Sequence, residues 1–149
     1  MRITIDEWIA HYLADRGKLL ATLEFLEKVQ KKCDSFLCVK GSPLAEKIWC
    51  LSAQSSNWTP AHQKVVKYFF GAFVSDAQKF QLLQETDLQI LTPDLENKVS
   101  QKDRYLVRTA LSTEDRFILT TDGRLKDMLV EVSELRVELA EEFFGTYDP

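Results

Sequence analysis

Histidine occurs only twice in the chain, as His11 and His62, and this scarcity leaves little room for imidazole-based acid–base chemistry. Cysteine is nearly as sparse. Cys33, Cys38 and Cys50 form no CxxC pair and lie far in sequence from either histidine, so a structural zinc site is not expected. Cys38 and Cys50 stand among apolar neighbours and read as buried thiols in a reducing compartment. No apolar run approaches the roughly 18 residues of a membrane span. The opening MRITIDEW carries charge where a signal peptide needs an apolar stretch. A cytoplasmic protein without membrane contact is expected. Also missing are the GxSxG elbow, the GxxxxGK[ST] phosphate loop, GxGxxG and HExxH, which sets aside serine-elbow hydrolase, NTPase, dinucleotide and zinc-protease readings.

Positive charge is in deficit, with 19 Lys and Arg against 23 Asp and Glu. The net charge of −4 argues against broad electrostatic attraction to nucleic acid. Any RNA binding must rest on a bound metal or on local groups such as Lys28, Lys31 and Lys32, then Lys102, Arg104 and Arg108, then Arg124 and Lys126.

What is present is an apolar content of 45% over 149 residues, enough for one core in one domain spanning residues 1–149, with residues 145–149 as a frayed tail. Arg2 to Ile5 reads as a strand stopping at Asp6, and Ser35 to Val39 as a second. Between them Leu19, Leu20, Leu23, Leu26 and Val29 recur at helical spacing. Ser42-Pro43 and Thr59-Pro60 are helix starts. The second opens a long helical region whose face is marked by Val66, Phe69, Phe70, Phe73, Ala77 and Phe80, with Gly71 as a break or kink. Leu88 to Leu91 is expected to be the third strand, Arg116 to Thr121 the fourth and Leu135 to Leu139 the fifth, with helical segments between them. Strands separated by helices imply an α/β class with a central parallel sheet of four to five strands covered on both faces.

The chemistry-bearing pattern is a set of carboxylates: Asp6 ending strand one, Glu46 in the helix after strand two, Asp103 in the helix before strand four, and Asp122 ending strand four. Ligands of open parallel sheets bind outside the C-terminal strand ends, where Asp6 and Asp122 are expected to face one another. Crowded carboxylates need a neutralising cation, and oxygen-only donors select Mg²⁺ or Mn²⁺. Such an ion suits phosphodiester hydrolysis. Two of the acids also have a purely structural reading, Asp122 as a helix N-cap and Glu46 as an early-helix acid favoured by the dipole.

In order and spacing these segments resemble the PIN domains over nearly the whole chain. ITID at Asp6 resembles the first strand and first acid of that family, and SPLAEKI its helix with Glu46. KDRYLVRTALSTEDRFILTTDGRL resembles the segment with the third acid, alanine helix, apolar strand and Thr-x-Asp ending, here Asp103, Thr120 and Asp122; LRVELAEEFF resembles the closing strand and helix. The resemblance implies a three-layer α/β/α fold with a parallel sheet ordered 3-2-1-4-5, and a metal-dependent endoribonuclease acting on single-stranded RNA. Asp6, Glu46, Asp103 and Asp122 are then catalytic. Asp6, Asp103 and Asp122 hold Mg²⁺ or Mn²⁺, Thr120 supports them, and Arg104 and Arg124, which flank two of the acids, meet substrate phosphates. Many members are toxins, which implies an antitoxin partner. The stretch VVKYFFGAF resembles the helices that the family uses for dimer and antitoxin contacts, and the resemblance implies a homodimer as a further partner state. Trp8 stands where many members carry Asn or a hydroxyl residue, and Gln101 and Lys102 stand where a further acid often precedes the third. These departures motivate the alternative of a PIN-like module that has lost catalysis and serves as a scaffold. A flap-type DNA nuclease fits less well, because its long threading insertions do not fit into 149 residues.

Overall fold

The computed structural model describes residues 1–148, and of Ser55 the backbone only. Five strands, β1 (Arg2–Ile5), β2 (Ser35–Val39), β3 (Phe80–Leu83), β4 (Phe117–Thr120) and β5 (Arg136–Leu139), pair in parallel in the order β3-β2-β1-β4-β5. Parallel neighbours require crossovers, which are supplied by α1 (Trp8–Ala14), α2 (Leu19–Lys31), α3 (Pro43–Ala53), α4 (Pro60–Phe69), α5 (Pro93–Lys98), α6 (Arg104–Leu111) and α7 (Gly123–Leu129), with α8 (Ala140–Thr146) closing the chain. β1 is central and buried from Ile3 to Ile5, and Ile3 stands opposite Phe36 on β2 and Phe117 on β4.

Because strand side chains alternate, the sheet feeds two cores. Ile3, Ile5, Phe36, Cys38, Phe117 and Leu119 pack with residues of α1 to α4 and α8. Ile118 packs on the other face with Leu106, Val107 and Ala110 of α6 and with Leu125 and Leu129 of α7. The result is a three-layer α/β/α domain. Among the described residues no helix is long and apolar enough to cross a membrane.

Local signals fix most boundaries. The Ser42 hydroxyl accepts the Ala45 amide and the Thr59 hydroxyl accepts the His62 amide, each with proline in the first turn that follows. Gly41, with φ of +77°, turns the chain from β2 into α3.

Three expectations are corrected, and one helix was not anticipated. The third strand is Phe80–Leu83, not Leu88–Leu91. The 88–91 segment is a loop whose backbone bonds to side chains of α6 and its C-cap: the Gln89 amide donates to Ser112 Oγ at 2.8 Å and its carbonyl accepts Arg108 Nε at 3.1 Å. Phe80 is not helical. The helix ends through a π turn at Phe70–Val74, and Asp76 then folds the chain into β3, its carbonyl accepting the Lys79 and Phe80 amides. Residues 8–14, too short for a periodic pattern, form α1. Cys50 is exposed, because α3 turns Leu44, Ala45, Ile48 and Leu51 to the core and leaves positions 49 and 50 outside. Cys38 is buried as expected, and burial pushes its thiol up to about 11.

The C-terminal tail is also tied down as far as it is described; Pro149 lies outside the described residues. Tyr147 is buried, its hydroxyl donates to Asp34, its carbonyl accepts Lys28 Nζ at 2.9 Å, and the Lys32 ammonium lies 4.5 Å from its ring centroid. Burial works against the Asp34 charge. Hydrogen bonds from the N-terminal ammonium and from Tyr147 outweigh it and hold the carboxyl below its ordinary range. A depressed pKa in the folded state contributes stability that is complete above the unfolded value of about 3.9 and is lost as pH falls through the folded value. Tyr147→Phe is therefore expected to cost about 1 kcal/mol near neutral pH in urea unfolding, with the deficit shrinking in strong acid. An equal deficit at both extremes would show that the hydroxyl does not serve the Asp34 charge.

Candidate active site

The buried run Ile3 to Ile5 delivers Asp6 at the centre of the sheet, with β2 on one side and β4 on the other. This is the switch point of an open parallel sheet, where connections depart in opposite directions and leave a crevice. Asp6 Oδ1 accepts the Trp8 amide at 3.0 Å and Oδ2 accepts the Thr120 hydroxyl at 2.5 Å. That hydroxyl itself accepts the Asp122 amide at 3.0 Å, so one fully buried side chain ties the end of β4 to the end of β1. Burial pushes the Asp6 carboxyl above the usual carboxylate range against these two hydrogen bonds, and the charges of Glu7 and Asp103 push the same way.

A cleft of about 300 Å³ opens over Asp6, with Glu7, His11, Lys102, Asp103 and Tyr105 among its walls. Asp103, just ahead of α6, accepts the Ser100 hydroxyl at 2.6 Å. Glu7 is paired with Lys47 at 2.6 Å, and the same ammonium reaches His11 Nε2 at 3.1 Å. Burial first, and the charges of Asp6 and Glu7 next, hold the Tyr105 phenol well above its ordinary pKa, so it stays protonated as a donor.

Of the four expected acids, the cleft brings together Asp6 and Asp103. Asp122 caps α7, its Oδ1 accepting the amides of Arg124 at 2.9 Å and Leu125 at 3.3 Å. Glu46 is exposed in the first turn of α3 and does not line the cleft. Thr120 stands where expected, on Asp6. Arg104 and Arg124 are not on the walls: Arg104 Nη2 donates to the Glu96 carbonyl at 3.0 Å, and Arg124 is exposed on α7. Among the described residues the cations that line or border the cleft are Lys102, one of the local basic groups the sequence offered, and Lys47, which sequence reasoning did not name; Tyr105 was also missed, and its position beside Asp103 in sequence was the available signal. Trp8 is core, with its indole N–H donating to the Leu119 carbonyl at 2.8 Å, and only its amide serves the site.

Among the described residues no three His, Cys, Asp or Glu side chains stand close enough together to hold a metal ion. The described residues therefore present no closed three-carboxylate cage. Mg²⁺, however, is commonly held by one or two carboxylates, with water and substrate phosphate completing the shell. Asp6, whose charge burial disfavours, and Asp103 fit that open arrangement.

No family model, no curated protein and no solved structure matches the chain.

Asp122 can be separated from Asp6 by substitution. Asn caps a helix about as well as Asp, whereas Ala costs about 1 kcal/mol. Asp122→Asn is expected to melt like the wild type and Asp122→Ala to melt a few degrees lower. Equal loss in both would mean that the charge itself, not the cap, is what the fold needs there.

Proposed function

We propose that the chain is a PIN-type ribonuclease that hydrolyses single-stranded RNA at the Asp6–Asp103 cleft with Mg²⁺ or Mn²⁺. The observation that carries this reading is Asp6 itself. A carboxylate is held by Thr120 and Trp8 at the switch point of a 3-2-1-4-5 sheet, with burial and neighbouring acids opposing its charge. An arrangement that is costly alone is stabilised by a cation. The sequence resemblance supports the same chemistry, and the toxin role and an antitoxin partner rest on that resemblance alone.

Asp6 and Asp103 would hold a divalent ion, which would supply Lewis-acid chemistry for hydrolysis of a phosphodiester. The chain's own groups do the positioning. Thr120 Oγ and the Trp8 amide fix the Asp6 oxygens, and Ser100 Oγ fixes one oxygen of Asp103. Lys102 Nζ and the Tyr105 hydroxyl on the cleft walls offer donors to phosphate oxygens. A non-catalytic binding module is the second reading, favoured by the placement of Glu46 and Asp122 outside the cleft.

Purified protein with Mn²⁺ or Mg²⁺ is expected to cut single-stranded RNA and to stop on chelation, with Asp103→Asn slower by on the order of 10²-fold. Cleavage that survives EDTA, or none with either ion across varied RNAs, would sink the ribonuclease reading. Melting gives a readout that needs no substrate. A raised folded pKa means that ionised Asp6 costs stability above that pKa, so Asp6→Asn is expected to melt above the wild type in EDTA near neutral pH. Saturating Mn²⁺, at about 100 times its dissociation constant, adds about 2.7 kcal/mol, or roughly 5–10 °C, to the wild type and little to the variant. Identical responses of the two proteins to Mn²⁺ would place the ion elsewhere.

A further inference from the structure

Tyr105 is a wall of three separate cavities. It lines the carboxylate cleft, a cavity of about 190 Å³ over the β2–α3 turn beside Lys40 and Ser42, and a cavity of about 400 Å³ on the far side of α6. The third cavity holds two arginines one helical turn apart, Arg104 and Arg108, with Ile90, 81% exposed, on its wall. Their donors are only partly used. Arg104 Nε is buried without a hydrogen-bond partner among the described residues, and Arg108 Nη1 lies 3.7 Å from the Glu85 carboxylate, whose side chain is 78% exposed. The remaining bonds go to the carbonyls of Glu96, Gln89 and Glu85. Glu96 also lines this cavity, so its charge is mixed and the guanidiniums are held in competition with nearby acids. An exposed apolar side chain and a phenol ring beside two guanidiniums are the elements that hold a single strand, with rings and apolar groups against bases and cations against phosphates.

We propose that these three cavities form one groove for a single-stranded polynucleotide, in which Tyr105 and Ile90 carry a base and Arg104 with Arg108 holds the phosphate of a nucleotide beyond the cleft. Glu85 acts there as a placeholder for that phosphate, releasing Arg108 when the strand enters. The nature of the strand, RNA, rests on the ribonuclease reading; the groove itself rests on the cavities and the arginine pair.

The test is fluorescence anisotropy in EDTA, so that no cleavage intervenes, with a labelled oligouridylate of about ten nucleotides. Arg108→Gln is expected to weaken binding by roughly tenfold and to flatten the dependence of log K on log salt by about 0.7 for each phosphate that is no longer neutralised. Glu85→Gln is expected to tighten binding several-fold. Glu134→Gln removes the same charge near Arg116, at the opposite end of the sheet, and should change nothing. An arginine that merely staples the 84–91 loop would weaken binding when replaced but would leave Glu85→Gln silent. The groove is overturned if the wild type does not bind, if Arg108→Gln binds like the wild type, or if Glu85→Gln has no more effect than Glu134→Gln. Absence of this pattern alongside Mn²⁺-dependent cleavage refutes the groove and keeps the ribonuclease; the full pattern without any cleavage keeps the groove and refutes the ribonuclease.

Discussion

A carboxylate at the end of a buried central strand must be held by nearby donors or neutralised, and this requirement organises the upper edge of the sheet. Asp6 is held from both sides, by the Trp8 amide that begins α1 and by the Thr120 hydroxyl that ends β4. Trp8 adds a second tie between the same strands, since its indole N–H donates to the Leu119 carbonyl. Its ring then packs against Tyr12, Phe25 and Phe144, so α1, α2 and α8 are anchored around the residue that also fixes the acid. Site and core are one construction here. Two bonded donors nevertheless leave the charge disfavoured by burial, and that residual cost is what a cation would relieve.

Electrostatics at this edge are local rather than global. With a net charge of −4 the chain as a whole repels polyanions. Within the stretch from Ser100 to Arg108, however, one acid and three cations alternate: Asp103 and Lys102 line the cleft while Arg104 and Arg108 turn to the cavity behind Tyr105. The turn before α6 thus places one acid and one lysine at the cleft, while the two arginines of α6 itself line the cavity behind Tyr105. Screening at ordinary ionic strength, over about 8 Å, lets such neighbouring patches act separately from the distant negative surface.

The sequence made the repeated β-then-helix pattern legible wherever a short apolar or alternating run marks a strand and a cap or an apolar stripe marks a helix. β1, β2, β4 and β5, with the Ser42 and Thr59 caps, needed only local signals. β3 was hidden because an edge strand with Leu82 exposed carries little apolar alternation, and because Phe80 falls at helical spacing after Phe73. Asp6 and Asp103 were legible as acids placed by a strand end and a helix start. Asp122 was not separable from a ligand by sequence, since a cap and a metal ligand ask for the same residue at the same place. The tail looked free because nothing in GTYDP announces that Tyr147 reaches Asp34, more than a hundred residues away.

Whether Asp6 and Asp103 hold a divalent ion decides the chemistry of this cleft. Electron paramagnetic resonance of Mn²⁺ counts bound ion directly and needs no substrate. The wild type is expected to take up Mn²⁺, Asp6→Asn and Asp103→Asn to lose it, and Asp122→Asn and Glu46→Gln to keep it. Uptake that persists in Asp6→Asn and Asp103→Asn, or no uptake by the wild type at all, would contradict a metal site at the Asp6–Asp103 cleft.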